Sequence, residues 1–348
     1  MNIPENLFTN PEFLPEKMVF PEEKLHFCHM SAESYLESPF LDHRTVKHKP
    51  GATIFNIPQL LAVAPPTMPD VTHFLFHNAF CCSTLLSRYL DAAVDALVLR
   101  EPNVLLESAS VYRYRITPFL KHVDQQTANN LFRLISIFMA RRYPHQKHVI
   151  IKPTDGCNNI MDKLLDLNPG NKCILMYSDL ERFLVAILKY THRTDFIKMR
   201  VNEFLIDEMV VEGKIPVNPN QLSIVQLSVL VWILHRKKMR SLMSRFDSER
   251  IRTINSEKFM ASQGRYVNNA LRFFGAKASD RSIEKQIVGI QSIHSKAHAE
   301  NYSADQREQD FCKLREQLSD EIDSGIHWAV QTFGMETLND LGNPLINE

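Results

Sequence analysis

The sequence predicts an α/β protein: a parallel sheet with helices on both faces. Three observations predict it. Five short β-branched or apolar runs follow one another through the chain, helical patterns separate them, and 44% hydrophobic residues in 348 supply a substantial core. Residues 1–68 come first, rich in proline and poor in periodicity, and read as an extended arm packed on the core. Pro65-Pro66 to Pro69 marks its end, so residues 69–348 form the α/β domain. The strand-length runs are Thr72–His77, Ala96–Arg100, His148–Lys152, Lys172–Tyr177 and Arg250–Asn255. Apolar residues at helical spacing cover Thr84–Val94, Ala128–Arg141, Asn158–Leu167, Leu180–Tyr190, Leu222–Met243 and Lys258–Phe274. Glu308–Phe333 adds a helical C-terminal elaboration.

Composition narrows the class of function. Forty basic and forty acidic residues cancel, so no global field draws the chain to nucleic acid or an anionic membrane. Six cysteines lack C-x-x-C or paired Cys/His spacing, which argues against a zinc site and a disulfide framework and for a reducing cytoplasm. No metal site is expected. The N-terminus has no basic-then-apolar run, and no apolar stretch reaches the ~18 residues of a membrane span. The sequence leaves oligomeric state open.

In an open parallel sheet, ligands bind outside the carboxyl ends of the strands. Four such ends are chemically loaded: His77 to Thr84, Arg100-Glu101-Pro102, Lys152-Pro153-Thr154 and Ser178-Asp179. The first is a strand, a tight loop and a helix, a junction that aims backbone N–H groups at one spot. It has no glycine and no lysine, so it fails the Walker pattern. Ser83 and Thr84 open the helix, as phosphate holders or, for Ser83, as a simple cap. Glu101 is a candidate general base, or half of a salt bridge with Arg100 or Arg113. Lys152 ends an apolar run and suits stabilisation of a departing phosphate oxygen, or snorkels to the surface. His77, at the loop entrance, is a candidate acid, base or phosphate donor, or a buried hydrogen-bonded histidine. Cys81 and Cys82 read as small packing residues under the loop or as thiols of lowered pKa. Thr154-Asp155 reads as a helix cap, with no catalytic part.

Taken together, these residues resemble the sulfotransferase superfamily, especially its bacterial and tyrosylprotein-type members. Ser83-Thr84-Leu85-Leu86 and Leu90-Asp91 match the T-T-L-[LM] and L-D of the family's 5′-phosphosulfate loop. Leu99-Arg100-Glu101-Pro102 falls at the family's catalytic glutamate, and Ile151-Lys152-Pro153 at its catalytic lysine. Leu167 to Asp179, then Arg252 to Phe259 and Ala270 to Gly275, follow in the family's order, so the resemblance spans residues ~72 to ~275. It implies a P-loop-like core and a 3′-phosphoadenosine 5′-phosphosulfate co-substrate, with no metal. The donor's 5′ end would lie on Asn78, Ala79, Phe80, Cys81, Cys82, Ser83 and Thr84. Glu101 would take a proton from a hydroxyl or amine of a small-molecule or peptide acceptor, and Lys152 would steady the leaving phosphate.

The chain also departs from that pattern. Phe80 stands at the loop cation and Cys82 at the loop glycine, while Ser178 and Ala186 stand at the arginine and serine that grip the 3′-phosphate. Substitutes are sought in Lys189, Arg193 and Arg200, or in the cluster around Lys296 between His294 and His298. Two other readings stand beside the transferase: a catalytically silent nucleotide-binding or partner-binding module, and an ATP-dependent phosphotransferase with Asp179 as sole Mg²⁺ candidate.

Overall fold

The structure, a computed structural model, describes residues 3–19, 22–42, 44, 53–67, 69–121, 123–211, 217–291 and 304–347. Its centre is a five-stranded sheet of β4 (His73–His77), β5 (Ala96–Arg100), β6 (His148–Lys152), β7 (Cys173–Tyr177) and β8 (Ile251–Asn255), in the order β5-β6-β4-β7-β8. All four pairings are parallel. The α/β class with helices on both faces is as the apolar runs predict, and the observed strands fall within one residue of those runs.

Strand alternation sorts the core into two layers. Phe74, Phe76, Leu97, Leu99, Val149, Ile151 and Leu175 point to one face, against helices Asn103–Tyr114, Gln125–Met139 and Met161–Asp166. Leu75, Val98, Ile150, Ile174 and Met176 point to the other, against helices Ser83–Tyr89, Gln263–Phe274 and Asp280–Gln291. The connection from β4 runs out to β5 on this second face, and the return from β5 to β6 runs on the first. A right-handed crossover changes face when the chain reverses direction along a sheet. After β6 the chain passes to the far side of β4. The carboxyl ends of β6, β4 and β7 therefore mark the point where the direction of winding switches, which is where an open α/β sheet takes its ligands. A third cluster, built from helices Leu180–Leu188, Arg193–Val211, Ile224–Arg245 and Ser319–Phe333, covers that end beyond β7.

Residues 1–68 form more than an extended segment. β1 (Phe13–Val19), β2 (Lys24–His29) and β3 (Thr53–Asn56) make an antiparallel sheet in that order. Pro15 is tolerated because β1 is an edge strand and its register shifts between Pro15 and Lys17. Leu14, Leu25 and Phe27 join the first-face core, where Phe27 meets the Phe138 ring edge-on at 5.0 Å. The other exposed sheet edge is covered by the C-terminal tail: Thr253 N–H donates to Asn343 O at 3.0 Å, and Leu345 N–H to Thr253 O at 2.9 Å. Among the described residues no helix is long and apolar enough to cross a membrane.

The N-terminal unit is tied to the main sheet through a buried charge. Arg100, 1% exposed, pairs with Asp91 and donates to Tyr35 O at 3.1 Å, while Leu41 N–H donates to Arg100 O at 2.7 Å. Asp91→Ala leaves this guanidinium buried without its carboxylate, and is expected to cost about 3–5 kcal/mol of unfolding free energy. Urea denaturation measures it; a loss under about 1 kcal/mol, the range of an exposed pair, contradicts the assignment.

Candidate active site

Five non-glycine residues among those described have positive φ, and three of them lie along the carboxyl edge of the sheet, after β4 and β5: Phe80 (62°), Cys82 (64°) and Glu101 (51°). Each left-handed turn costs about 1–3 kcal/mol, and such strain gathers where function needs a set geometry. In the loop after β4, Phe80 and Cys82 adopt backbone that glycine would take freely. The loop thus bends like a glycine loop without containing one.

Glu101 is turned by its neighbour. Its N–H donates to Lys152 O at 2.6 Å, and its carboxylate accepts from the Lys152 ammonium. Strands β5 and β6 are parallel neighbours with Arg100 paired to Lys152, so Glu101, the next residue, lies at the adjoining strand end, and its left-handed backbone turns it back onto Lys152. Lys152 is 1% exposed and lies beneath the β4 loop, near enough for its charge to act on His77 and on the Cys81 thiol. The two residues expected to carry the chemistry are therefore in contact. Arg44, from the N-terminal unit, reaches the same carboxylate, with Nη2 at 3.7 Å from Glu101 Oε2. Sequence reading missed it, because a lone arginine in an aperiodic stretch carries no signal.

The loop itself is braced from both sides. Asn78, fully buried, and Ser178 hold the ends of β4 and β7 together: Ser178 N–H donates to Asn78 Oδ1 at 3.2 Å and Asn78 Nδ2 to Ser178 Oγ at 3.4 Å. Trp232 Nε1 then caps Ser178 O at 2.9 Å. Ala79 packs in the third cluster. The Phe80 ring turns the same way, towards Phe196 and Phe183 with centroids at 5.7 and 6.4 Å, and Arg193 lies over it at 4.4 Å. Cys81 is buried with its thiol against Met176 O at 3.5 Å, and burial first, then Cys82, pushes it up to about 12. It is a packing residue. Ser83 and Thr84 begin the helix Ser83–Tyr89 and are buried. Lys296, with His294 and His298, lies outside the described residues.

His77 spans two loops. Nδ1 lies 2.8 Å from Asn78 O and Nε2 3.0 Å from Pro153 O. Burial, then the Lys152 charge, lowers its pKa from 6.5 to about 4. A neutral ring has one N–H to donate, and neither nitrogen faces open space.

Behind these groups lies a buried ion network that the sequence does not announce. Arg200 grips Asp155 in a fork, Nε–Oδ2 at 3.0 Å and Nη2–Oδ1 at 2.8 Å, and also pairs with Glu203. Arg113 holds Asp207 in the same way, with both bonds at 3.0 Å, and donates to Gly156 O at 2.9 Å. Burial works against the Asp155 anion, but Arg200 and His235 more than offset it and hold the carboxyl well below its usual range. Asn158 donates to His77 O at 3.0 Å and meets His235 Nδ1 at 2.9 Å, joining the network to β4. Asp155 is thus an anchor of helix Arg193–Val211; the expected helix cap at Thr154-Asp155 is not formed, since the Thr154 side chain makes no capping bond, the helix Met161–Asp166 is preceded by Ile160, and the Asp155 carboxylate is taken by Arg200. Arg200, Glu203 and Asp207 recur at helical spacing on one face; that is the signal available, and it is the same as that of a solvated stripe. The cations sought as phosphate substitutes are otherwise engaged: Arg200 by Asp155, Arg193 by Ala186 O, and Lys189 by Asp310 at 3.6 Å. Among the described residues no group of three or more His, Cys, Asp or Glu is arranged to hold a metal.

No protein-family model matches the chain, and no curated protein matches it. Solved structures similar to it include the sulfotransferase domain from the curacin biosynthetic pathway, 12% identical, covering 73% of this chain and 98% of that one, with a TM-score of 0.41. Sulfotransferase STF1 from Mycobacterium tuberculosis H37Rv is 11% identical over 76% of this chain and 79% of that one, with a TM-score of 0.38. A sulfotransferase from Alicyclobacillus acidocaldarius is 13% identical over 74% and 96%, with a TM-score of 0.35.

The buried histidines set a pH dependence. Burial, then His148, lowers the pKa of His73 from 6.5 to about 3, as burial and Lys152 lower that of His77 to about 4. Both protonate in the unfolded chain first, so their contribution to stability is full above 6.5 and is lost as pH falls from there through the folded values. Burial raises Glu107 to about 7, which works in the opposite direction over part of that window. The difference between wild type and His77→Asn isolates the histidine: the urea midpoint is expected to fall less steeply between neutral pH and pH 4 in the variant. Equal slopes contradict the assignment.

Proposed function

We propose that this protein is a sulfotransferase-like enzyme that moves a sulfuryl group from 3′-phosphoadenosine 5′-phosphosulfate to a hydroxyl or amine of an acceptor. The observation that carries the reading is the Glu101–Lys152 pair: a carboxylate on left-handed backbone, paired with a buried ammonium, at adjoining ends of strands in the same sheet as the glycine-like loop after β4. The order of the matching segments along the chain supports it independently.

In this reading the 5′ end of the donor lies along Asn78 to Thr84. Glu101 accepts the proton as the acceptor's oxygen or nitrogen attacks sulfur, the bond from sulfur to the bridging phosphate oxygen breaks, and Lys152 steadies the charge left on that oxygen. Binding of an anionic donor gives Lys152 a new partner and frees Glu101 to act as base. Asn78 and Ser178 brace the crevice by bonding each other. His77, neutral and with one N–H for either Asn78 O or Pro153 O, packs between the loops after β4 and β6. The reaction asks mainly for positioning and charge stabilisation, which a rigid strand-end site supplies.

Two measurements test this. Calorimetric titration is expected to show selective binding of adenosine 3′,5′-bisphosphate over ADP and over ATP with Mg²⁺; preference for ATP with Mg²⁺ supports a phosphotransferase, and silence toward all three a catalytically silent module. With a responsive acceptor found from a panel of alcohols, phenols and amines, Glu101→Gln and Lys152→Ala are each expected to lower turnover by about 10²–10³. Near-wild-type rates in both variants remove the pair from the mechanism.

A further inference from the structure

Beyond β7 and β8, on the same edge of the sheet, three elements bring two arginines onto one carboxylate. Glu257 is the second residue of helix Ser256–Ala261, which follows β8, Arg182 lies in helix Leu180–Leu188 after β7, and Arg307 comes from helix Ala304–Gln317. Glu257 accepts from Arg307 through both oxygens, Nη2–Oε1 at 2.8 Å and Nη1–Oε2 at 3.2 Å. Arg182 Nε adds a contact to Oε2 at 3.3 Å, and Ser256 Oγ lies 3.1 Å from Oε1. Four donor groups thus converge on one anion. That is the donor set a phosphate takes, and arginine's planar fork suits it.

Two further observations point outward from the carboxylate to a ligand. Arg182 Nη1 is buried with no hydrogen-bond partner, so the donor set exceeds what the protein itself satisfies. Arg307 also lies within electrostatic reach of Cys82, at the end of the β4 loop, so the cluster adjoins that loop. The arginines are held ready: Arg182 lies 3.4 Å over the Phe311 ring and donates to Glu308 at 2.9 Å. Burial alone would raise the Glu257 pKa, but Arg307 and Arg182 outweigh it and lower it, so the carboxylate is an anion at neutral pH.

We propose that Arg182 and Arg307 form a binding site for a phosphate monoester, and that Glu257 occupies it as an internal anion in the free protein. An incoming dianion displaces Glu257 and takes over both guanidinium groups, including the unsatisfied Nη1. The site rests on the two arginines; that its phosphate is carried by a nucleotide rests on the function proposed above. On that reading the clamp stands in for the arginine and serine that Ser178 and Ala186 replace.

Calorimetry on the full chain tests it, with inorganic phosphate and adenosine 3′,5′-bisphosphate as probes. Glu257→Gln keeps the shape and removes the competing charge, and is expected to tighten inorganic phosphate about tenfold. Arg307→Lys keeps the charge and loses the fork, and is expected to weaken phosphate in either background. Unchanged or weaker phosphate binding in Glu257→Gln overturns the proposal, as does indifference to Arg307→Lys in a wild-type background. The bisphosphate arm separates the two readings. Tighter bisphosphate than phosphate, moved by both substitutions, supports clamp and nucleotide together. Phosphate that responds while bisphosphate fails to bind keeps the clamp and removes the nucleotide; bisphosphate that binds but ignores both substitutions keeps the nucleotide and overturns the clamp.

Discussion

A lysine ammonium that is 1% exposed governs the architecture of the candidate site. Burying such a charge alone is prohibitive, so Lys152 at the end of β6 requires a carboxylate, and β5, whose last residue Arg100 pairs with Lys152, brings Glu101 alongside it. Glu101 meets the requirement by turning its backbone into the left-handed region and bonding Lys152 through both its main chain and its side chain. The pair is therefore a consequence of strand order as much as of residue type. A site formed this way is held by the sheet rather than by a flexible loop, which is the condition under which positioning contributes most to group transfer.

Around this pair the protein spends a good deal of stability on fixing backbone. Phe80 and Cys82 hold left-handed conformations that glycine would adopt at little cost, and the bracing is correspondingly dense. Asn78 and Ser178 bond reciprocally across β4 and β7, His77 bridges to Pro153, and Asn158 links His77 to His235 and so to Asp155 and Arg200. Every charge in that buried network has an opposite partner within reach. The network ties helix Arg193–Val211 to the loop after β6 and, through Asn158, to the end of β4. Arginine is suited to it, since a planar fork can satisfy two oxygens of one carboxylate without losing further freedom.

Much of the fold was legible because it depends on local pattern. The five strands are short apolar runs bounded by polar residues, and their positions along the chain follow directly. The positions of Glu101 and Lys152 at strand ends were legible because Lys152 ends such a run and Glu101 follows one. The small sheet of β1 to β3 was not, since its prolines mask the alternation and its stability comes from packing Leu14, Leu25 and Phe27 on the main core. Arg44, Arg182 and Arg307 were also out of reach. Each is an ordinary charged residue in sequence, and their convergence with strand-end groups is made by elements up to 125 residues apart, as between Arg182 and Arg307.

The sequence by itself determined the class of fold, the order of its strands along the chain and the chemical types at their carboxyl ends, because hydrophobic periodicity and residue identity are local properties. Tertiary structure alone decided which of those ends became neighbours and which charges were buried against which. The reason is physical: electrostatic and packing energies depend on distance in space, and the crossover connections set that distance independently of separation along the chain.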